Sequence, residues 1–398
     1  MNAPRTAEPT WLRELLAQPD RRQAVADLWD SFESAPLLGE TRDGLTEVTF
    51  LWRQQRADVE VLVHVNGLTD AMREDVTPAL LEQVPGTDLW HRSWWLPADG
   101  TWGYRFVEMP EIPRNAGASR EGWLAIHGAG ALDPLNPRSQ PHALGESSSV
   151  IVLPRAYQHP AWPLSPWSAQ SYTHAEIEPF DGESRAVHLW SPSPAEPAAV
   201  LVLLDGEQWA AMGIADVVAA AGIPVDLVLV DSVDFPTRSR DLPDPERAAA
   251  LVAAALEAYT RATGHLPDAS RTILAGQSYG GLAAASTVVT RRDLASTAVV
   301  QSGSFWYRHG VPPARDAVDP GDLTTALAGG ERDLAGVRLA LQAGTDEGTM
   351  AAQAEMFRDA ARDRGADAEL EKITGGHDYA WWKHHLLRAV EALVGPRG

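Results

Sequence analysis

From Ala199 onward, short and almost wholly apolar runs alternate with segments of helical spacing. The runs are "AVLVLLDG", "VDLVLVDS", "RTILAGQS", "STAVVQSGS" and "VRLALQAGT". Between and after them come "DPERAAALVAAALEAYTRAT", a helix from Gly280, a helix around 321–332, "MAAQAEMFRDAARDRG" and a last helix from Tyr379. A strand with no polar side cannot face water on either surface. Such strands predict a mainly parallel sheet covered by helices on both faces, an α/β fold. "AELEKIT" supplies one more strand before the last helix.

The first part of the chain has a different texture. "LTEVTFLWR", "VEVLVHV", "LWHRSWWLP" and "TWGYRFVEM" read as strands, with Asn66-Gly67 and "ADG" as turns. Ten of the 15 tryptophans fall before residue 170. An all-β sandwich follows, led by helical spacing over residues 11–32 that Pro19 should interrupt. The proline-rich stretch 154–170 reads as a linker and "SPSPAEPA" as a turn. The expected domains are therefore 1–165, with a substrate-binding or lid role, and 166–398, catalytic.

Composition narrows the chemistry. With no cysteine there is no disulfide, thiolate metal site or cysteine nucleophile. The formal charge of −21 makes general nucleic-acid binding implausible. No run approaches a membrane span, and the first residues lack a signal-peptide pattern, so a cytoplasmic protein is expected.

Gly276-Gln277-Ser278-Tyr279-Gly280 matches G-x-S-x-G, with a strand before it and a helix after it. That turn pushes the serine hydroxyl out above the sheet. A serine needs a base, and the loop Gly375-Gly376-His377-Asp378 after "AELEKIT" offers His377. His384 and His385 read as helix surface. The order serine, acid, histidine then calls for a carboxylate after an intervening strand. Asp346 and Glu347 both stand there. Two backbone N–H groups should form the oxyanion hole: that of Tyr279, and that of Glu207 in "LLDGEQWA". With no HExxH and no paired-histidine spacing, the set describes metal-free acyl transfer, most simply ester hydrolysis.

Several runs resemble the enterochelin (ferric enterobactin) esterases. "TFLWR", "GTDLWHRSWWLPADGTWGYRF" and "LDPLNPR" resemble that family's N-terminal domain; "LLDGEQWA", "GQSYGGLAA", "QSGSFWY" and "GGHDYAWW" resemble its esterase-D-like domain. The resemblance implies an α/β-hydrolase domain behind an early-set, immunoglobulin-like sandwich. It also implies a cytoplasmic enzyme that opens the trilactone of a catecholate siderophore. Ser278 and His377 fall on the nucleophile and base, and Glu347 rather than Asp346 on the acid. "DFPTRSRDLP" resembles a family segment in which Arg238 and Asp241 hold set positions.

No cofactor is implied, since ferric iron would enter with the substrate. An anionic tris-catecholate calls for cations, and Arg238, Arg240, Arg308, His309 and Arg92 are candidates. Trp209, Trp306 and Trp382 are candidates for stacking on its rings, and Trp94 for closing over it. The rival readings are a carbohydrate or feruloyl-type esterase, and a non-catalytic siderophore-binding protein on a hydrolase scaffold.

Overall fold

The structure is a computed structural model. It describes residues 4–56, 58–141, 147–162, 171–180, 182–192, 199–312, 317–330 and 332–395. The end of the expected linker, 163–170, and most of the "SPSPAEPA" turn lie outside them. The chain forms two compact units: Met1–Tyr157 with Thr374–Trp381, and Gln158–Ile373 with Trp382–Gly398.

The first unit holds two antiparallel sheets. Leu45–Arg53 and Leu89–Pro97 are the long strands of one, Glu60–Val65, Thr101–Met109 and Ser147–Val152 those of the other. The strands read around "ADG" are found over those same residues. Phe50, Trp94, Val63, Trp102, Phe106 and Ile151, drawn from both sheets, share one core. Phe50 meets Trp94 and Tyr104 edge-on at 5.5 and 5.2 Å, an arrangement aromatic quadrupoles favour. Trp94 is fully buried here. Pro19 does separate two helices, Thr10–Leu16 and Arg21–Asp30, the second capped by the Asp20 carboxylate on the Gln23 N–H.

In the second unit the strands are β1 (Thr173–Phe180), β2 (Glu183–Trp190), β3 (Ala199–Leu204), β4 (Val225–Val230), β5 (Thr272–Gln277), β6 (Thr297–Gln301), β7 (Arg338–Gly344) and β8 (Asp367–Ile373). Their order is β1-β2-β4-β3-β5-β6-β7-β8, parallel except where β2 pairs with β1 and β4. β3, β4, β5 and β6 are buried at every residue, as all-apolar strands require. Among the described residues from Gly206 onward the α-helices are α1 (Gly206–Ala211), α2 (Ile214–Ala221), α3 (Phe235–Asp241), α4 (Pro245–Thr263), α5 (Tyr279–Thr290), α6 (Asp322–Gly329), α7 (Met350–Arg362) and α8 (Tyr379–Val394). Alanines and glycines on α5 let it seat closely on β5 and β6, and ten of its residues are buried.

His384 and His385 are not on a helix surface as expected. Both are buried, and His384 Nδ1 accepts from the His159 N–H at 3.0 Å. Burial holds His384 neutral, its pKa lowered to about 2. Among the described residues, no helix is long and apolar enough to cross a membrane.

Candidate active site

Ser278 sits between β5 and α5 with φ 57° and ψ −119°. A non-glycine residue held there stores strain of roughly 1–3 kcal/mol. The surroundings leave it little choice. A Cβ on Gly276 would lie 2.3 Å from the carbonyl carbon of Gly280, so only glycine allows strand and helix to meet this closely. The Ser278 N–H donates to the Gln301 carbonyl, and its own carbonyl accepts from Leu282 and Ser304. The hydroxyl is half-buried and stands 3.3 Å from that of Ser304.

Tyr279 is the first residue of α5, so its N–H belongs to the helix end whose amides have no intrahelical acceptor. The positive end of the helix dipole lies at the same place. Glu207 lies in the first turn of α1, after Asp205 in the left-handed region at φ 56°. Gly206 is pressed on β4: a Cβ there would come within 2.5 Å of the Leu229 carbonyl carbon. The Glu207 carboxyl accepts from the Ser232 N–H at 3.0 Å. Burial, and then the Asp205 carboxylate, push its pKa up to about 7.

The acid candidates follow β7. Glu347 Oε2 accepts from the Gly344 N–H at 2.9 Å, and the Thr345 N–H donates to the Ile373 carbonyl, tying this turn to the end of β8. Asp346 is half-buried beside it.

His377 lies in the segment Thr374–Trp381, which belongs to the first unit. There its backbone is gripped by one side chain: the His377 N–H donates to Asn66 Oδ1 at 2.9 Å, and Asn66 Nδ2 donates to the His377 carbonyl at 3.0 Å. The next residue, Asp378, is fully buried. It accepts from the Gly103 N–H, the Ala380 N–H and Gln140 Nε2. Burial raises the Asp378 pKa, and those donors oppose the rise.

The residues expected to meet substrate divide sharply. Trp209 and Trp382 are core, 0% and 1% exposed, with indole N–H groups turned to Gln277 and Ser302. Neither offers a ring face to a ligand. Trp306 is half-buried, and with Tyr279 and Tyr307 it forms an aromatic group whose rings lie 5.9–6.4 Å apart. Arg92, in the first unit, is buried against the Leu80 carbonyl and Glu82. Arg240 joins Arg185 and Arg247 around Asp241 and Glu183, three cations to two carboxylates. Arg308 reaches the Pro320 carbonyl and Asp319, and His309 is exposed. Arg238 is bidentate to Asp205.

Sequence reading missed Asn66 as anything beyond a turn, and it missed Asp378, Ser304 and Asp205. Ser304 was legible in principle, since "QSGS" follows a strand adjacent to the nucleophile's. Among the described residues, one group has metal-ligand spacing: His64, Asp70 and His127, with a ligand atom of each within 4.8 Å of the others. Asp70 there already accepts from Arg73, Trp123 and Gly67, and Arg105 approaches His127. Two guanidinium groups make that position unfavourable for a dication.

Residues 47–162 match the family model described as enterochelin esterase, N-terminal, and residues 183–393 match that of a putative esterase. The chain is 28% identical to the iron(III) salmochelin esterase of Escherichia coli O6:H1 over 93% of its length and 94% of the relative's. It is 28% identical to the iron(III) enterobactin esterase of Dickeya dadantii, over 99% and 94%. The enterobactin esterase of Shigella flexneri, crystallised in the presence of enterobactin, superposes with a TM-score of 0.79 at 26% identity, over 92% of this chain and 97% of that one. The ferric enterobactin esterase of Salmonella typhimurium gives 0.79 and 26% over 92% and 98%. A serine on a strained strand-to-helix turn, in a sheet of this order, is thus accompanied by matches to both family models: the chain belongs to the esterase family, with an enterochelin esterase N-terminal domain ahead of the catalytic one.

Proposed function

We propose that the protein is a cytoplasmic serine esterase that hydrolyses the trilactone of a ferric catecholate siderophore. The observation that carries the chemistry is Ser278 at φ 57°, a strained nucleophile turn between β5 and α5. The substrate class rests on relatives named as enterobactin and salmochelin esterases that align over nearly the whole chain.

In this reading Ser278 Oγ attacks a lactone carbonyl while His377 takes its proton. The oxyanion is met by the N–H groups of Tyr279 and Glu207. His377 then returns the proton to the departing hydroxyl of the opened lactone, and water releases the acyl group by the reverse sequence. Glu347 orients the imidazole. Tyr279, Trp306 and Tyr307 supply aromatic surface for catechol rings, and the excess guanidinium around Asp241, with Arg308 and His309, attracts the anionic ligand locally against the −21 of the chain. We assign the two sheets of the first unit to the early-set, immunoglobulin-like class.

The test is product analysis by mass spectrometry, with ferric and iron-free catecholate trilactones beside a feruloyl ester. Linearised and shortened siderophore is the expected product, and Ser278→Ala should abolish it. Preference for the feruloyl ester would overturn the substrate assignment. Full activity in the Ala variant would overturn the nucleophile.

A further inference from the structure

Arg238 lies in the middle of α3, and its guanidinium is committed on two sides. Nε donates to Asp205 Oδ1 and Nη2 to Asp205 Oδ2, both at 2.7 Å. Nη2 also donates to the Gln277 carbonyl at 3.2 Å. Its side chain is 17% exposed and that of Asp205 is 4%. Asp205 also accepts from the Ser232 hydroxyl at 2.7 Å. Its Oδ2 is close enough to the elbow that a Cβ on Gly280 would meet it at 3.3 Å.

These contacts join two particular pieces of backbone. Asp205 is the left-handed residue that turns the chain into α1 and so aims the Glu207 N–H. Gln277 is the residue before the nucleophile, and its carbonyl terminates β5. The two amides assigned to the oxyanion hole, those of Glu207 and Tyr279, sit on opposite sides of this link, each two residues from its anchor. The guanidinium fork fits the task because its donors are coplanar and fixed in direction, so it can satisfy a carboxylate and a carbonyl together. It also neutralises a nearly buried carboxylate that would otherwise oppose negative charge on the reacting oxygen.

We propose that Arg238 is a positioning residue: it braces the loop of the Glu207 amide against the nucleophile elbow and thereby sets the width of the oxyanion hole. This rests on the reading of Ser278 as nucleophile and of those two amides as oxyanion donors. It moves Arg238 from an expected ligand of the anionic substrate to a part of the catalytic frame.

The two roles differ in which substrates feel the loss. A brace acts on any ester, because an oxyanion hole recognises the transition state. A substrate contact acts on the anionic siderophore alone. Arg238→Lys and Arg238→Met would be assayed on neutral p-nitrophenyl butyrate and on a ferric tris-catecholate trilactone, with a small trifluoromethyl ketone as a probe that forms a tetrahedral oxyanion on the serine. The brace predicts a fall in kcat of about 10–100-fold on both substrates, of the size seen on weakening an oxyanion donor. KM should stay within about twofold, and the ketone should weaken by the same factor as kcat/KM. Lysine should restore little, because one ammonium cannot span the carboxylate and the carbonyl.

A KM increase confined to the anionic substrate, with butyrate turnover and ketone affinity intact, would overturn the brace in favour of substrate contact. Unchanged kinetics on both would overturn it outright. If Arg238→Met fails to fold, Arg238→Lys keeps a cation beside Asp205 and carries the test. Failure of the underlying reading shows separately, as wild-type protein that does not bind the ketone.

Discussion

Ser278 is hydrogen-bonded to Leu282, Gln301 and Ser304, none more than 26 positions away in the chain. His377 is gripped by Asn66, 311 positions away, and its neighbour Asp378 by Gly103 and Gln140, 275 and 238 positions away. The serine turn is also strained, whereas His377 is absent from the residues with positive φ. The proposed nucleophile is thus held by local backbone geometry under tension, and the proposed base by a loop tied down by distant polar side chains. A site of this kind can fail in two separate ways, through the shape of a turn or through the anchoring of a loop.

The largest expected effect isolates the strained half. Ser278→Ala should lower turnover by about 10⁴–10⁶-fold while leaving the melting temperature near that of the parent, because alanine at φ 57° bears the same strain. Ser278→Gly should be equally inactive but more stable by about 1 kcal/mol, since glycine adopts that conformation freely. His377→Ala and His377→Gly should show no such gain. Thermal melts of the four variants check the contrast, and equal stability of the two serine variants would remove strain from the account of the elbow.

The next effect concerns the acid. Glu347→Gln should cost on the order of 10³–10⁴ in kcat, as loss of a triad carboxylate does, and Asp346→Asn far less. The reverse ranking would move the acid by one residue. Glu347 already accepts the Gly344 N–H, and glutamine keeps that acceptor, so the comparison reads charge more than structure.

Asn66→Ala removes both hydrogen bonds to the His377 backbone. With the loop less well fixed, kcat should fall by about 10–100-fold with KM little changed, the scale of a displacement near 1 Å. Unfolding free energy should fall by about 1–3 kcal/mol. Asn66→Asp keeps the acceptor for the His377 N–H but loses the donor, and should fall between the two. If Asn66→Ala turns over as fast as the parent, the anchored-loop half of the comparison does not hold.

The same division explains what could be read from the chain. The elbow was legible because its requirements are local: glycines flanking the serine, an apolar strand before, a small-residue helix after. The α/β architecture was legible from strands with no polar face, and the strands of the first unit from β-branched runs and turn residues. Asn66 carried the information of an Asn-Gly turn and nothing more, because a partner 311 residues away leaves no spacing to detect. His384 and His385 misled for a related reason. Their helix has polar residues at a surface-like spacing, and only the tertiary structure shows the His159 amide that meets His384 and the Arg388 and Glu371 side chains that meet His385. Trp209 and Trp382 satisfied their indole N–H groups against Gln277 and Ser302, so a large polar-tipped ring became core rather than a stacking surface.

The smallest effect on turnover is expected at Glu207, and it separates the amide from the side chain of one residue. The carboxyl is half-buried near Asp205, and its pKa is raised from 4.5 to about 7. Below pH 4.5 the group is neutral in folded and unfolded chains, and its contribution to stability is whole. As pH rises toward 7 the unfolded chain ionises first, so that contribution is lost, up to about 3 kcal/mol for a shift of this size. Glu207→Gln keeps an oxygen for the Ser232 N–H but cannot ionise. Parent and variant should therefore melt alike near pH 4 and diverge between pH 4.5 and 7, with the variant the more stable above. Turnover should change by less than about twofold at a pH where both are folded, because in the proposed site the oxyanion is met by the backbone N–H and not by the carboxyl. A large loss of kcat without a pH-dependent gain in stability would make the carboxyl itself part of the chemistry, and the elbow half of the site would then no longer be a frame of backbone alone.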